Sequence, residues 1–149
     1  MRKLFVTVVA LAMFVSLTPA SAEDQVLDRA ATVEMIKTKY IPTLEDQRKT
    51  LLQLKSIMKV DAALLKQVNS VIADFDSNYA AITKGLIDPN QAIQPIIDLC
   101  EEEVEEFANS IYQLKVMAGK IKSITCIKGK SSKKVAGLAP KCPAGYKKK

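Results

Sequence analysis

Apolar residues recur in alternating steps of three and four from Leu44 to Leu86, and no other feature restricts this chain as tightly. The positions are Leu44, Gln47, Leu51, Leu54, Met58, Asp61, Leu65, Val68, Ile72, Phe75, Tyr79, Ile82 and Leu86, eleven of the thirteen being apolar or tyrosine. A 3.5-residue spacing held over this length belongs to a coiled-coil-like helix. The background permits one, because residues 23–84 contain no glycine and Pro42 is their only proline. Thr43-Leu44-Glu45-Asp46 suits a helix start, with Thr43 as N-cap and acids in the first turn. Lys84-Gly85 suits its end. Asp61 falls inside the seam. The unbroken phase predicts one continuous helix of about 65 Å, with Asp61 facing a polar spot; a second helix capped by Asp61 is the alternative.

A second seam follows: Ile93, Ile97, Cys100, Val104, Phe107, Ile111, Leu114, Ala118 and Ile121. It predicts a helix over about 90–123, after a turn in which Asp88 caps and Pro89 is the first helical residue. Pro95 lies close enough to the start to be tolerated, with a kink as the alternative. Asp24–Tyr40 carries Val26, Ala30, Val33, Ile36 and Tyr40 at helical spacing, and Ile41-Pro42 separates it from the long helix. The predicted fold is all-α: an elongated antiparallel hairpin, thickened to three helices where the first folds back, with a small stapled tail. A straight 24–86 helix kinked at Pro42 is the alternative. The hairpin has a thin far end, a candidate for homodimerisation through the seam.

Residues 1–22 read as a signal peptide. Arg2 and Lys3 precede an uncharged stretch from Leu4 to Leu17, Pro19 breaks it, and Ala20-Ser21-Ala22 is an A-x-A cleavage site. The apolar run is short for a membrane span. The expected mature chain starts at Glu23, is secreted or held in the cell envelope, and has no later transmembrane segment. The formal net charge of +6 conceals two blocks. Residues 23–119 hold ten Lys/Arg and sixteen Asp/Glu; residues 120–149 hold ten lysines and no acid. The organisation is therefore a signal peptide (1–22), a helical bundle (23–122) and a basic Cys-stapled tail (123–149).

Glu101, Glu102, Glu103, Glu105 and Glu106 fall off the second seam and predict a solvated face. A straight helix does not converge its carboxylates on calcium, which takes six to eight oxygens. The basic tail lying across these glutamates is another arrangement. Cys100 occupies a seam position, where a thiol packs as a small hydrophobe. An interchain disulfide is the second reading. Catalysis by this thiol is disfavoured, because its acidic neighbours oppose a thiolate.

Cys126 and Cys142 enclose fifteen residues, and export supplies the oxidising setting in which they pair. Ser123 to Ile127 alternates β-branched residues as a strand does, Gly129 to Ser132 suits a turn, and Lys133 to Gly137 a returning strand. Pro143 and Gly145 mark a further turn. Ile124-Thr125-Cys126-Ile127-Lys128-Gly129-Lys130, Lys133-Lys134-Val135 and Pro140-Lys141-Cys142-Pro143-Ala144-Gly145-Tyr146-Lys147-Lys148-Lys149 together resemble the C-terminal tails of uncharacterised secreted proteins of small-genome actinobacteria. The resemblance covers residues 124–149 and implies no activity. A tail reused behind different domains implies an address or an envelope tether.

The function expected is non-catalytic: a helical rod tethered to an anionic polymer or surface of the cell envelope. Lys128, Lys130, Lys133, Lys134 and Lys141 are the candidate polyanion-binding residues within the stapled loop, with Lys147, Lys148 and Lys149 beyond it. The alternative is a carrier or chaperone-like binder of an apolar or lipid ligand, with Phe75, Tyr79 and Phe107 lining its interior. An enzyme is not expected. The chain has no histidine, no Gly-rich phosphate loop, no G-x-S-x-G and no H-E-x-x-H. No catalytic residue, metal ligand or cofactor is assigned. Nucleic acid is disfavoured as a partner, since residues 123–149 hold one tyrosine and no arginine for stacking or bidentate base contacts.

Overall fold

The structure is a computed structural model that describes residues 28–149. The signal peptide and its cleavage site fall outside these residues. Four helices come first: α1 (Arg29–Lys39), α2 (Ile41–Met58), α3 (Ala62–Ile87) and α4 (Gln94–Gly119). Three strands follow: β1 (Lys122–Lys128), β2 (Ser131–Gly137) and β3 (Lys147–Lys148). The chain is thus mostly helical but not purely all-α.

The first chain reversal lies at Asp61, not at Pro42. Between α1 and α2 stands only Tyr40, in helical backbone, and hydrogen bonds run through it: Tyr40 N donates to Ile36 O (2.9 Å) and Leu44 N donates to Tyr40 O (3.0 Å). Pro42 sits in the first turn of α2, where its missing N–H costs no helical bond. Thr43 lies inside α2 and is no cap; its hydroxyl donates to Lys39 O (3.3 Å). After Met58 the helix stops. Asp61 is extended (φ −130°, ψ 120°), and its Oδ1 accepts from Ala63 N (3.1 Å) and Leu64 N (3.3 Å). Those two bonds satisfy orphan donors of α3 and make Asp61 a true N-cap. The continuous 43–86 helix is therefore two antiparallel helices. The only trace in the periodicity is a one-residue shift: Leu64 is buried, where the seam had placed Leu65.

Moving the reversal changes the architecture. α1 and α2 form one leg of a three-legged bundle, with α3 and α4 as the others, so the legs are similar in length. The thin far end that invited homodimerisation is absent. A three-legged core also needs a wider apolar stripe than a two-helix seam. Accordingly α4 buries Ile96 and Glu103 beside Cys100, Phe107, Ile111 and Leu114, while Ile97 and Val104 are only partly covered. At the centre the Phe75 ring lies 4.8 Å from Phe107 and 5.8 Å from Tyr79, centroid to centroid. The seam's polar member, Gln47, reaches across from α2 and donates through Nε2 to Val104 O (2.8 Å).

The second reversal spans Asp88–Ile93. Gly85 does not end α3, which continues to Ile87. Its role is closeness: a Cβ at Gly85 would lie 2.7 Å from Ile96 Cδ1. Asp88 closes α3, its N–H bonding Lys84 O, and α4 starts at Gln94 with Pro95 in its first turn. Arg29 fastens this end. Its guanidinium donates to Gly85 O (2.9 Å), a carbonyl that the end of α3 leaves without a helical partner, and to Asp88 O (2.5 Å) and Gln91 O (2.7 Å) just beyond the helix.

Candidate functional site

The tail folds as an antiparallel sheet of order β2-β1-β3. Lys128 pairs with Ser131, so Gly129-Lys130 is a two-residue turn, and Gly129 takes the left-handed φ of 59° that such a turn uses. Cys126 stands opposite Lys133 on one side and Lys148 on the other. Its bond to Cys142 (S–S 2.08 Å, Cα–Cα 5.6 Å) staples the return loop to the sheet. Cys126 is fully buried, the one hydrophobic residue of the module that is. Lys128 packs over the turn at Gly145, where a Cβ would come within 3.3 Å of its Nζ.

Paired residues share a face, and faces alternate along a strand. Lys133 and Lys148 therefore share the face of Cys126. Lys134, opposite Thr125, shares the other face with Lys147, opposite Ile127. The loop lysines are spread over both faces instead of gathered on one. Lys147 and Lys148 also acquire a fixed place as β3, and Lys149 N donates to Thr125 O (2.9 Å). All eight predicted polyanion-binding lysines are exposed.

Asp61 joins this module to the bundle. While Oδ1 caps α3, Oδ2 accepts from Leu138 N (3.1 Å). Gly137 permits the approach, since a Cβ there would stand 3.0 Å from Oδ2. The hydrogen bond from Leu138, then that from Leu64, holds the Asp61 carboxyl below the usual range. The sheet thus sits on the α2–α3 reversal, and the consequence is electrostatic. Residues 51–70 and 107–119, the adjoining ends of the helices, carry Lys55, Lys59, Lys66 and Lys115 with Asp61 as their single acid. Residues 28–50 and 71–106 carry thirteen acids and six bases. The rod is not uniformly acidic. It is polarised, and four of its lysines extend the basic surface of the tail. Sequence reading missed them because Lys55, Lys59 and Lys66 lie 54 or more residues before Lys120, where the basic block begins, and Lys115 belongs to a segment of negative net charge; only the Asp61 reversal brings the first three beside the tail.

The glutamate run belongs to the other end. Glu101 accepts from Tyr40 Oη (2.5 Å) and lies 3.9 Å from Lys39 Nζ, so these residues, not the basic tail, are its partners. Glu101, Glu102, Glu105 and Glu106 are exposed, as a solvated face requires. Glu103 departs from that expectation: it is 5% exposed, its Oε2 has no hydrogen-bond partner, and burial pushes its carboxyl up. Cys100 is fully buried, and desolvation followed by the Glu101 charge pushes its thiol up to about 11. It is a neutral core residue at ordinary pH.

No family model, curated relative or solved structure matches the chain.

Proposed function

We propose that this protein is exported and non-catalytic, and that its basic pole tethers it to an anionic surface of the cell envelope. One observation carries the reading. A disulfide-stapled sheet with nine lysines and no acid is seated on the lysine-bearing end of a bundle whose acids, Asp61 apart, lie from its middle to its far end. Coulomb attraction then has a direction. The basic end faces the polyanion, and the acidic end is repelled from it. Pre-ordering of the lysines by strand pairing and the disulfide lowers the entropy lost on binding.

The aromatic residues of the carrier alternative are in the packed centre: Phe75 is fully buried between Tyr79 and Phe107. No specific observation favours that reading over the tether. The test is retention of the mature chain on purified envelope across a salt series. Attraction with counterion release predicts a steep loss of binding with salt, in rough proportion to the charges engaged. Replacing Lys128, Lys130, Lys133, Lys134 and Lys141 by Gln should flatten that slope. Passage through the envelope fraction at low salt, or an unchanged slope in the variant, defeats the proposal.

A further inference from the structure

We infer that the anionic partner of the basic pole is the headgroup surface of a lipid bilayer. The inference rests on the electrostatic reading above and adds the chemistry of the partner. It comes from the apolar side chains that the fold leaves uncovered.

Eight large apolar side chains are exposed among the described residues. Seven of them lie in the basic half, within residues 51–70 and 107–149; the exception is Ile87, at the acidic end. Two flank the joint. Val60 (45% exposed) precedes Asp61, and Leu138 (39% exposed) donates its N–H to the Asp61 carboxylate. Ile57 lies three residues before Val60, in the last turn of α2, and Ile127 stands on the sheet opposite Lys147. Beside Val60 an open groove of about 640 Å³ runs along β2, walled by Val135, Ala136 and Pro143 with Lys133 and Lys134 among its lining residues.

A hydrophilic polyanion is held by charge alone and gives these apolar groups nothing to contact. A bilayer interface rewards both kinds of residue at once: cations meet anionic headgroups while neighbouring apolar side chains enter the acyl boundary. Either signal alone binds membranes weakly, and the pair is the usual basis of stable peripheral attachment. No helix among the described residues is long and apolar enough to cross a membrane, so attachment is to the surface. The single acid of the pole, Asp61, has its carboxylate occupied by three backbone N–H groups. The nearest acid of α3, Asp74, stands off by ~18 Å along the helix from Ala62, about two Debye lengths at physiological salt.

The experiment is sedimentation of the mature chain with phosphatidylcholine vesicles, with and without phosphatidylglycerol, alongside binding to soluble poly-L-glutamate. Val60→Ser with Leu138→Ser is the test variant; Ile87→Ser is the control at the acidic end. Circular dichroism verifies that both fold. The expected result is binding to the phosphatidylglycerol vesicles that falls about tenfold in the Val60/Leu138 variant, the scale of one partly inserted aliphatic side chain. Poly-L-glutamate binding should be equal in all three proteins. Poly-L-glutamate binding without vesicle binding, or vesicle binding unchanged in the variant, overturns the bilayer inference and leaves the electrostatic tether standing. Binding to neither probe overturns both.

Discussion

Removing the disulfide should unfold the sheet and leave the bundle intact. The perturbation is Cys126→Ser with Cys142→Ser, which spares the buried Cys100. The two cysteines are 16 residues apart. Closing a loop of that length lowers the entropy of the unfolded chain by an amount worth about 3 kcal/mol at 25 °C. The sheet has little else to offset that loss. Cys126 is its one fully buried hydrophobic side chain, and a small one, while Ile124, Val135 and Tyr146 are only partly covered. By contrast, the bundle buries sixteen hydrophobic residues in one cluster and does not depend on the staple. A local loss of ~3 kcal/mol corresponds to a roughly 150-fold rise in the opening equilibrium of the module. Amide hydrogen exchange reads this directly. Protection across β1 and β2 should drop by about two orders of magnitude in the variant or under reductant, with α3 and α4 amides unaffected. A drop of less than about tenfold would show that strand pairing and the Asp61 contact hold the sheet without the disulfide.

Three further outcomes follow from single side chains. Glu103→Gln should raise stability at neutral pH, because the neutral amide escapes the cost of burying a charge. Burial, with Glu106, Glu102 and Asp74 adding to it against an opposing bond from Asn78, raises the folded carboxyl above the ordinary 4.5. The folded state thus holds a proton the unfolded state has lost, so wild-type stability falls as pH rises through that window and the gap to the variant closes near pH 4; urea melts at pH 4 and 7 that differ by the same amount would contradict this. Gly85→Ala sets helix propensity, a gain of about 1 kcal/mol, against a Cβ placed 2.7 Å from Ile96 Cδ1. Overpacking costs about 1–3 kcal/mol, so the melting temperature should fall, and a rise would show that α3 and α4 separate easily. Asp61 has a depressed carboxyl pKa, so its contribution is present above the ordinary 3.8 and is lost as pH falls through the lower folded value. Asp61→Ala should speed Leu138 amide exchange at neutral pH, with little change in the middle of α4.

Much of this fold was legible in the sequence, and the misses have physical causes. The heptad spacing found the helical faces, because burial of a stripe imposes that period whatever the connectivity. It could not place the reversal: Lys59–Asp61 returns the chain in a few residues and leaves the phase almost intact. Local chemistry at Asp61, an acid followed by Ala-Ala-Leu, was the better guide than the long-range pattern. Gly85 read as a stop because a glycine behind a lysine has that meaning for an isolated helix; its purpose here is the contact with Ile96, visible only once α4 is beside it. Cys126 and Cys142 were paired correctly from spacing and setting. β3 was missed because a lysine run has no strand propensity, and its pairing with β1 alone defines it. The basic pole was half legible. Its tail stood out as a block, whereas Lys55, Lys59, Lys66 and Lys115 were hidden in a segment of negative net charge.

The Arg29 clasp has a practical consequence for anyone attaching a label. Its three carbonyl partners lie in the last turn of α3 and the loop that follows it, so the backbone enters the described region at the pole remote from the tail lysines. At the other extreme, Lys149 is itself bonded into the sheet through Thr125. A fluorophore or purification handle joined upstream of Arg29 therefore projects from the acidic pole and leaves the lysine surface clear. One appended after Lys149 starts at the rim of that surface and extends β3, adding bulk and charge where attachment is to be measured. Assays of partner recognition should carry their handle upstream.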